Sequence, residues 1–361
     1  MNLFFDNIIF ELQRAGGISV YWAELLSRHL PVQMSCFGRK NSNIFASSLH
    51  LDLKDEGYSN FIPRRYFPFW PKPEYAQIAK HIFHSSYFRY SNNANAINVT
   101  TVHDFTYEYY SHGLRKWVHG WQKKNAVKKS AGIICVSENT KRDLLKFYPW
   151  VDESCIKVIY NGVSDDFSLQ KDADKLLSDK LGFQADRPYI LFVGDRSPYK
   201  NFDIFLALAD KLPEYDLVIV GGQNFSDDEQ RKTFAIKDRV HHFHGVSSEN
   251  LNLLYNAAFC LIYPSSYEGF GIPVLEAMKA GCPVVSTNLS SIPEVAGDAA
   301  LLVDALTVES ILEQVKRLKN SGFRDTIISK GVMQASQFSW DKCFEETYAF
   351  YQELWKRSDV K

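Results

Sequence analysis

The sequence predicts an α/β fold in two domains with mainly parallel sheets. Short apolar runs alternate with amphipathic stretches along most of the chain. A polar segment rich in Asp, Lys and Ser, between Ser164 and Arg187, divides it. The length, 361 residues, fits two domains better than one.

In chain order, Asn2–Phe10 reads as a strand, and Gly16, Gly17 and Ser19 open a helix that runs to about Leu30. Val32–Phe37, Ile82–Ser85, Asn98–His103 and Gly132–Val136 read as further strands. Ser137-Glu138-Asn139-Thr140 is a polar helix start, and Ile156–Ile159 closes the set. Tyr189–Val193 begins a second unit with later strands at Leu217–Val220, His241–Phe243, Cys260–Tyr263 and Val284–Ser286. A helix from about Trp340 to Trp355 carries aromatics at helical spacing. The expected domains are 1–165 and 186–339, with a helix over 340–361 packing back toward the first. Residues 61–75 hold four prolines among basic and aromatic side chains, which argues against a regular helix there. Two readings stand for it: a loop packed on its domain, or a loop that touches an acceptor or a membrane.

Composition narrows the class. Hydrophobic content of 45% and charged content of 23% are ordinary for a soluble globular protein. No apolar run reaches the ~18 residues that span a bilayer. The first residues lack the basic start and apolar core of a signal peptide. Six cysteines without CxxC pairs read as buried thiols in a reducing cytoplasm, and their spacing argues against zinc. The net charge of −1 hides an asymmetry: +7 over residues 1–164 and −8 over the rest. This is either surface variation or a basic half that meets an anionic surface, a membrane leaflet or a lipid-phosphate acceptor.

The run from Pro264 to Met278 is the most informative. Glu268 lies in a glycine-rich loop after an apolar strand, and Glu276 lies in the helix that follows. Pro273 suits the first helical position and Gly281 the position past the helix end. Loop amides and a helix N-terminus form a cradle for phosphate. Two acids beside such a cradle fit a ligand that also carries hydroxyls, as a nucleotide sugar does. Arg196 and Lys200 follow the strand Tyr189–Val193 and are suited to neutralise a diphosphate, with Asn201 as a helix cap. Phe202, Phe205, Leu206 and Ala209 form the buried face of that helix. His103 ends a strand in the first domain, where it is either structural or a partner for a sugar hydroxyl. Gly16-Gly17 allows close approach to a phosphate or an acceptor. Asp165-Asp166 and Asp227-Asp228 read as surface or capping residues. The GxGxxG, GxSxG and Walker patterns are absent from the chain.

On these motifs the chain resembles the retaining glycosyltransferases of family four, the group 1 glycosyltransferases. The signature is Glu268-x7-Glu276 within Tyr-Glu-Gly-Phe-Gly-Ile-Pro-Val-Leu-Glu-Ala-Met. Arg196 with Lys200, Val102-His103-Asp104, Val136-Ser137-Glu138 and Tyr160-Asn161-Gly162-Val163 match further family motifs. The resemblance implies a GT-B fold, two facing Rossmann-like domains with a deep interdomain cleft. It implies that Glu276 holds the donor ribose, and that Glu268 sits by the transferred sugar. Gly269, Phe270 and Gly271 would offer amides, and Arg196 and Lys200 would grip the diphosphate. His103 would contact the sugar 6-hydroxyl and the developing cationic centre, and Gly16 and Gly17 would approach the diphosphate. Gly245 and Val246, in His244-Gly245-Val246, would lie beside the base.

The resemblance further implies a metal-independent transferase without a cofactor, moving a hexose from a nucleotide sugar to a glycan or lipid-linked acceptor. GDP-mannose is the first donor expected, ahead of UDP- or dTDP-sugars. The expected setting is bacterial surface polysaccharide synthesis (O-antigen or capsule), in the cytoplasm, with contact to an anionic membrane and no nucleic-acid partner. The competing readings are a nucleotide-sugar epimerase or phosphorylase on the same fold, and a non-catalytic sugar-binding protein. A dehydrogenase fails for want of its glycine fingerprint. The first domain is compact for the family, and Tyr199 precedes the lysine of the clamp.

Overall fold

The computed structural model describes residues 1–28, 32–72, 79–184 and 187–359. It resolves into two compact units: Met1–Asn161 with Trp340–Lys361, and Gly162–Ser339.

The first unit carries a seven-stranded parallel sheet in the order β3-β2-β1-β4-β5-β6-β7. Its strands are β1 (Asn2–Asp6), β2 (Gln33–Phe37), β3 (Leu53–Lys54), β4 (His81–His84), β5 (Ala96–Val102), β6 (Gly132–Cys135) and β7 (Ile156–Val158). Both faces of a parallel sheet are covered by helices, so its strands read as unbroken apolar runs. β4 and β6 are buried along their whole length, as is β1 from Leu3 onward. The C-terminal helix Trp340–Arg357 belongs to this unit: Tyr351 meets the ring of Phe5 at 6.4 Å, and its hydroxyl lies 2.6 Å from His84 Nδ1.

The second unit carries a six-stranded parallel sheet in the order β10-β9-β8-β11-β12-β13. The strands are β8 (Tyr189–Val193), β9 (Asp216–Val220), β10 (Val240–Phe243), β11 (Cys260–Tyr263), β12 (Val284–Thr287) and β13 (Leu301–Val303). Its core joins Ile190, Phe192, Leu217, Ile219 and Ile262 to Phe202, Phe205, Leu206 and Ala209. In both sheets the first strand lies between the second and the fourth. The order therefore reverses there, which leaves a crevice at the strands' carboxyl ends.

Several sequence expectations are corrected. Asn2–Phe10 is not one strand: β1 stops at Asp6 and a short helix, Ile8–Leu12, follows. Phe61–Tyr66 is helical despite Pro63, because Pro63 falls in the first turn, where backbone N–H groups have no intrahelical partner. Pro73, Glu74 and Tyr75 lie outside the described residues, as do Leu30 and residue 186. The polar segment Ser164–Arg187 contains the helix Ala173–Leu181, whose Leu177 is buried. The short edge strands β3 and β13 were not anticipated.

Candidate active site

The second unit gathers the chemistry. β8 and β11 are neighbours, and the loops leaving their carboxyl ends carry Lys200 and Glu268. Asn201 joins the two loops. It is not the side-chain cap expected from sequence. Its backbone is left-handed (φ 50°), and its amide donates to Pro264 O at 2.8 Å and to Ser266 Oγ at 2.7 Å. Ser266 N in turn donates to Tyr199 O at 2.8 Å. A third loop, after β12, braces the acid. Ser290 Oγ accepts from Glu268 N at 2.8 Å, and Ser291 Oγ donates to the carbonyls of Glu268 and Phe270, each at 2.9 Å.

Lys200 Nζ lies 2.6 Å from Glu268 Oε1 and 3.0 Å from the Tyr263 hydroxyl. The two charged side chains are only 10% and 13% exposed. Burial alone lowers an ammonium pKa, but the Glu268 carboxylate outweighs it here, so Lys200 is held above its usual value and remains a cation.

Glu268-Gly269-Phe270-Gly271 leads into the helix Ile272–Lys279. Gly271, its N-cap, has φ +102°, a conformation that costs a side chain strain. Pro273 is the second helical residue rather than the first. The helix ends in a Schellman motif: Gly281 (φ +75°) donates to Met278 O at 3.1 Å, and Cys282 donates to Ala277 O at 2.8 Å. Glu276 is partly buried on this helix, and its Oε2 accepts from the Tyr255 hydroxyl at 3.1 Å. Burial pushes its carboxyl up to about 7, only partly offset by that hydrogen bond.

Arg196 takes a different course from Lys200. Its Nε donates to Glu229 at 2.7 Å, and its terminal nitrogens meet Gly221 O at 3.3 Å, Asn224 O at 3.1 Å and the carbonyl of Gln223. Its side chain is 6% exposed and lies over the Phe225 ring. These contacts are with the turn after β9, not with the Lys200–Glu268 pair. Glu229 itself closes a capping box with Ser226, and Asp227 and Asp228 fill the first turn of that helix, in the capping setting expected. Gly245 and Val246 follow β10 at the same end of the sheet, with Gly245 exposed.

In the first unit, Gly16 and Gly17 open the helix Gly17–Ser27 after β1. His103 follows β5, and its ring meets Tyr21 of that helix edge-on at 4.9 Å. His103 Nε2 is buried, with no hydrogen-bond partner among the described residues. Burial lowers its pKa to about 4, so the ring is neutral at pH 7. Lys123 Nζ donates to Asp104 O and to Glu108, each at 2.8 Å, and so fixes the turn that carries His103.

The supporting residues Tyr263, Tyr255, Asn201 and the Ser290-Ser291 pair were not singled out as a support from sequence. Tyr263 alone left a trace, because a tyrosine ending a buried strand needs a partner for its hydroxyl. All six cysteines are free, and Cys155 is the partly exposed one. Among the described residues, no cluster of His, Cys, Asp and Glu is placed to hold a metal ion.

Residues 15–167 match the family described as Glycosyltransferase Family 4, and residues 174–331 match Glycosyl transferases group 1. The chain is similar to O-antigen chain mannosyltransferase B of Escherichia coli, 28% identical over 312 residues that span 83% of this chain and 80% of that one. It is 32% identical over 229 residues to O-antigen chain mannosyltransferase RfbU of Salmonella typhimurium, 61% of each chain. Anabaena HepE, solved in complex with UDP-glucose, matches with a TM-score of 0.78 at 16% identity, over 98% of this chain and 100% of that one. The fold is the α/β GT-B type with two Rossmann-like units. With each unit matched by its own family, the chain belongs to the group 1 glycosyltransferases.

Proposed function

We propose that this glycosyltransferase moves mannose from GDP-mannose to a hydroxyl of a glycan or lipid-linked acceptor in bacterial surface polysaccharide synthesis. Anomeric configuration is retained and no metal ion is required. The likeness to the O-antigen chain mannosyltransferase of Escherichia coli supports the sugar. The single observation that carries the chemistry is the buried Lys200 ammonium, 2.6 Å from Glu268, at the reversal point of the second sheet.

Cleaving the bond between the sugar C1 and the diphosphate oxygen leaves negative charge on the diphosphate and an oxocarbenium-like sugar. Lys200 and the amino end of the helix Ile272–Lys279 stabilise that leaving group. Arg196 joins them by exchanging Glu229 for phosphate oxygen. Glu268 holds a sugar hydroxyl, with Gly269, Phe270 and Gly271 lending amides, and Glu276 accepts from the ribose hydroxyls. Gly245 and Val246 lie by the base. The departing phosphate takes the acceptor proton as the acceptor oxygen bonds to C1 on the face it leaves.

The test presents GDP-mannose, UDP-glucose and dTDP-sugars with a polyprenyl-diphosphate-linked glycan. Nucleoside diphosphate release and the anomer formed are measured. Release from GDP-mannose with an α-linked product is expected. Release from UDP- or dTDP-sugars alone refutes the donor, and a β-linked product refutes retention. Hydrolysis with no transfer refutes the acceptor class.

A further inference from the structure

The turn after β9 is built round the Arg196 side chain. Three backbone carbonyls face the guanidinium, those of Gly221, Gln223 and Asn224. It lies between the rings of Phe202, at 5.5 Å, and Phe225, at 5.0 Å. Gly222 has φ +73°, and a Cβ there would stand 2.5 Å from Arg196 Nη1. These contacts are neutral. Among the described residues, Glu229 is the one ion-pair partner of Arg196. An incoming anion therefore competes with a single charge for this cation.

Glu229 does not depend on Arg196 in return. One of its oxygens, Oε1, accepts from Arg196 Nε at 2.7 Å. The other, Oε2, accepts from Ser226 N at 2.7 Å, and Ser226 Oγ accepts from Glu229 N at 3.3 Å. This capping box opens the helix Asp227–Thr233, whose free N–H groups favour a carboxylate. Burial would raise the Glu229 pKa, but the hydrogen bonds from Ser226 and Arg196 outweigh it and hold the acid below its ordinary value. Withdrawing one partner from a buried ion pair is usually costly, because the other charge is stranded. Here the acid stays capped and in reach of water, so the pair can part and re-form.

Arg196 and Lys200 leave the carboxyl end of β8 in one loop, with the turn Pro198–Lys200 between them. A ligand with one phosphate satisfies Lys200 and offers Arg196 nothing in place of Glu229. A second phosphate supplies the replacement charge. Once the sugar has been transferred, the diphosphate is more negative than the donor was and binds these cations more strongly. An acid that competes for Arg196 opposes that gain and favours release.

We propose that Glu229 is a positioning residue: it holds Arg196 while the site is empty, yields it to the second phosphate of a nucleoside diphosphate and reclaims it on release. The proposal rests on the reading above that the donor diphosphate meets Lys200 and Arg196.

The experiment is calorimetric titration of the full chain with GDP and UDP, each beside its monophosphate. Wild type, Glu229→Gln, Arg196→Gln, the double variant and Ser226→Ala are compared. Gln keeps an oxygen for Ser226 N and lacks the charge for Arg196, so Glu229→Gln should keep the wild-type circular dichroism and nearly its melting temperature. It should bind the diphosphate about fivefold or more tightly than wild type, with the monophosphate changed by less than about twofold. In the Arg196→Gln background the gain should vanish. Ser226→Ala loses the cap but not the acid, so its melting temperature should fall with no gain in diphosphate affinity. Unchanged or weaker diphosphate binding by folded Glu229→Gln overturns the proposal. So does a gain that persists without Arg196, or one shared by the monophosphate, because either is the general field of a lost negative charge. An equal gain in Ser226→Ala assigns the effect to a loosened helix start and overturns it, as does a Glu229→Gln chain that no longer folds. Wild type that binds neither diphosphate overturns the nucleotide-sugar reading itself, and the role of Glu229 with it.

Discussion

Lys200 Nζ lies 2.6 Å from Glu268 Oε1 in a setting where each side chain is almost covered. The pair is a cation and an acid that restrain each other until a ligand arrives. Replacing Lys200 by Ala removes the charge that would stabilise a leaving diphosphate. Turnover should fall by on the order of 10²–10³, the scale of losing one preorganised electrostatic contact. The variant also leaves Glu268 buried beside Tyr263 without its cation, and its melting temperature should fall. Lys200→Arg should recover stability better than turnover, because the guanidinium keeps the charge but not the point geometry. Wild-type turnover in Lys200→Ala removes this residue from the site.

Glu276 gives the pH dependence a sign. Its folded-state pKa of about 7 lies above the ordinary 4.5, because burial disfavours the carboxylate. The folded protein therefore binds a proton between these values that the unfolded chain has released. The stability this contributes is full below 4.5 and is lost as pH rises through about 7. Unfolding free energy measured against Glu276→Gln should show wild type losing on the order of 3 kcal/mol across that window. A pH-independent difference between the two contradicts the burial argument.

The ribose role of Glu276 has its own test. Glu276→Ala should weaken nucleotide-sugar binding by about 1–3 kcal/mol, the scale of losing a hydrogen bond to a charged group. Titration calorimetry on the variant checks this. Unchanged affinity together with unchanged turnover would mean that the acid does not hold the ribose.

Asn201 holds the loops after β8 and β11 together through Pro264 O and Ser266 Oγ. Asn201→Ala leaves that buried carbonyl without its donor and should cost about 1–3 kcal/mol of stability. Donor affinity should fall with it, because Lys200 is the preceding residue. Denaturant unfolding and donor titration on the same sample would separate the two effects; a destabilised variant with full donor affinity would show that the loops do not need this tie.

Metal independence is tested by chelation. Activity should survive prolonged EDTA, because Lys200 and Arg196 are proposed to supply the positive charge a divalent ion would otherwise bring. Loss of activity that magnesium restores contradicts it.

Much of the second unit was legible in the sequence, because central strands such as β8 and β11 are short, wholly buried apolar runs with sharp edges. Tyr189–Val193 and Cys260–Tyr263 coincide with strands as read, and Phe202, Phe205, Leu206 and Ala209 are buried as expected. Edge strands of two and three residues, Leu53–Lys54 and Leu301–Val303, are too short for periodicity to mark. The first-turn position of Pro63 depends on the helix starting at Phe61, and the N-cap Asn60 makes no side-chain hydrogen bond that would fix that start. At the candidate site, the loops and their charged residues were legible by type and spacing. Which way each side chain turns was not. Arg196 engages Glu229, 33 residues further on, and Asn201 engages a loop more than 60 residues away. Such pairings depend on which strands become neighbours, and spacing along one chain carries no trace of that.

The most direct test of the central claim is donor titration by calorimetry on wild type and on the Lys200→Ala and Glu276→Ala variants, with GDP-mannose and UDP-glucose in parallel. Wild type should bind GDP-mannose, and each variant should lose about tenfold or more in affinity while remaining folded. Equal binding by wild type and both variants would show that the nucleotide sugar sits elsewhere in the molecule.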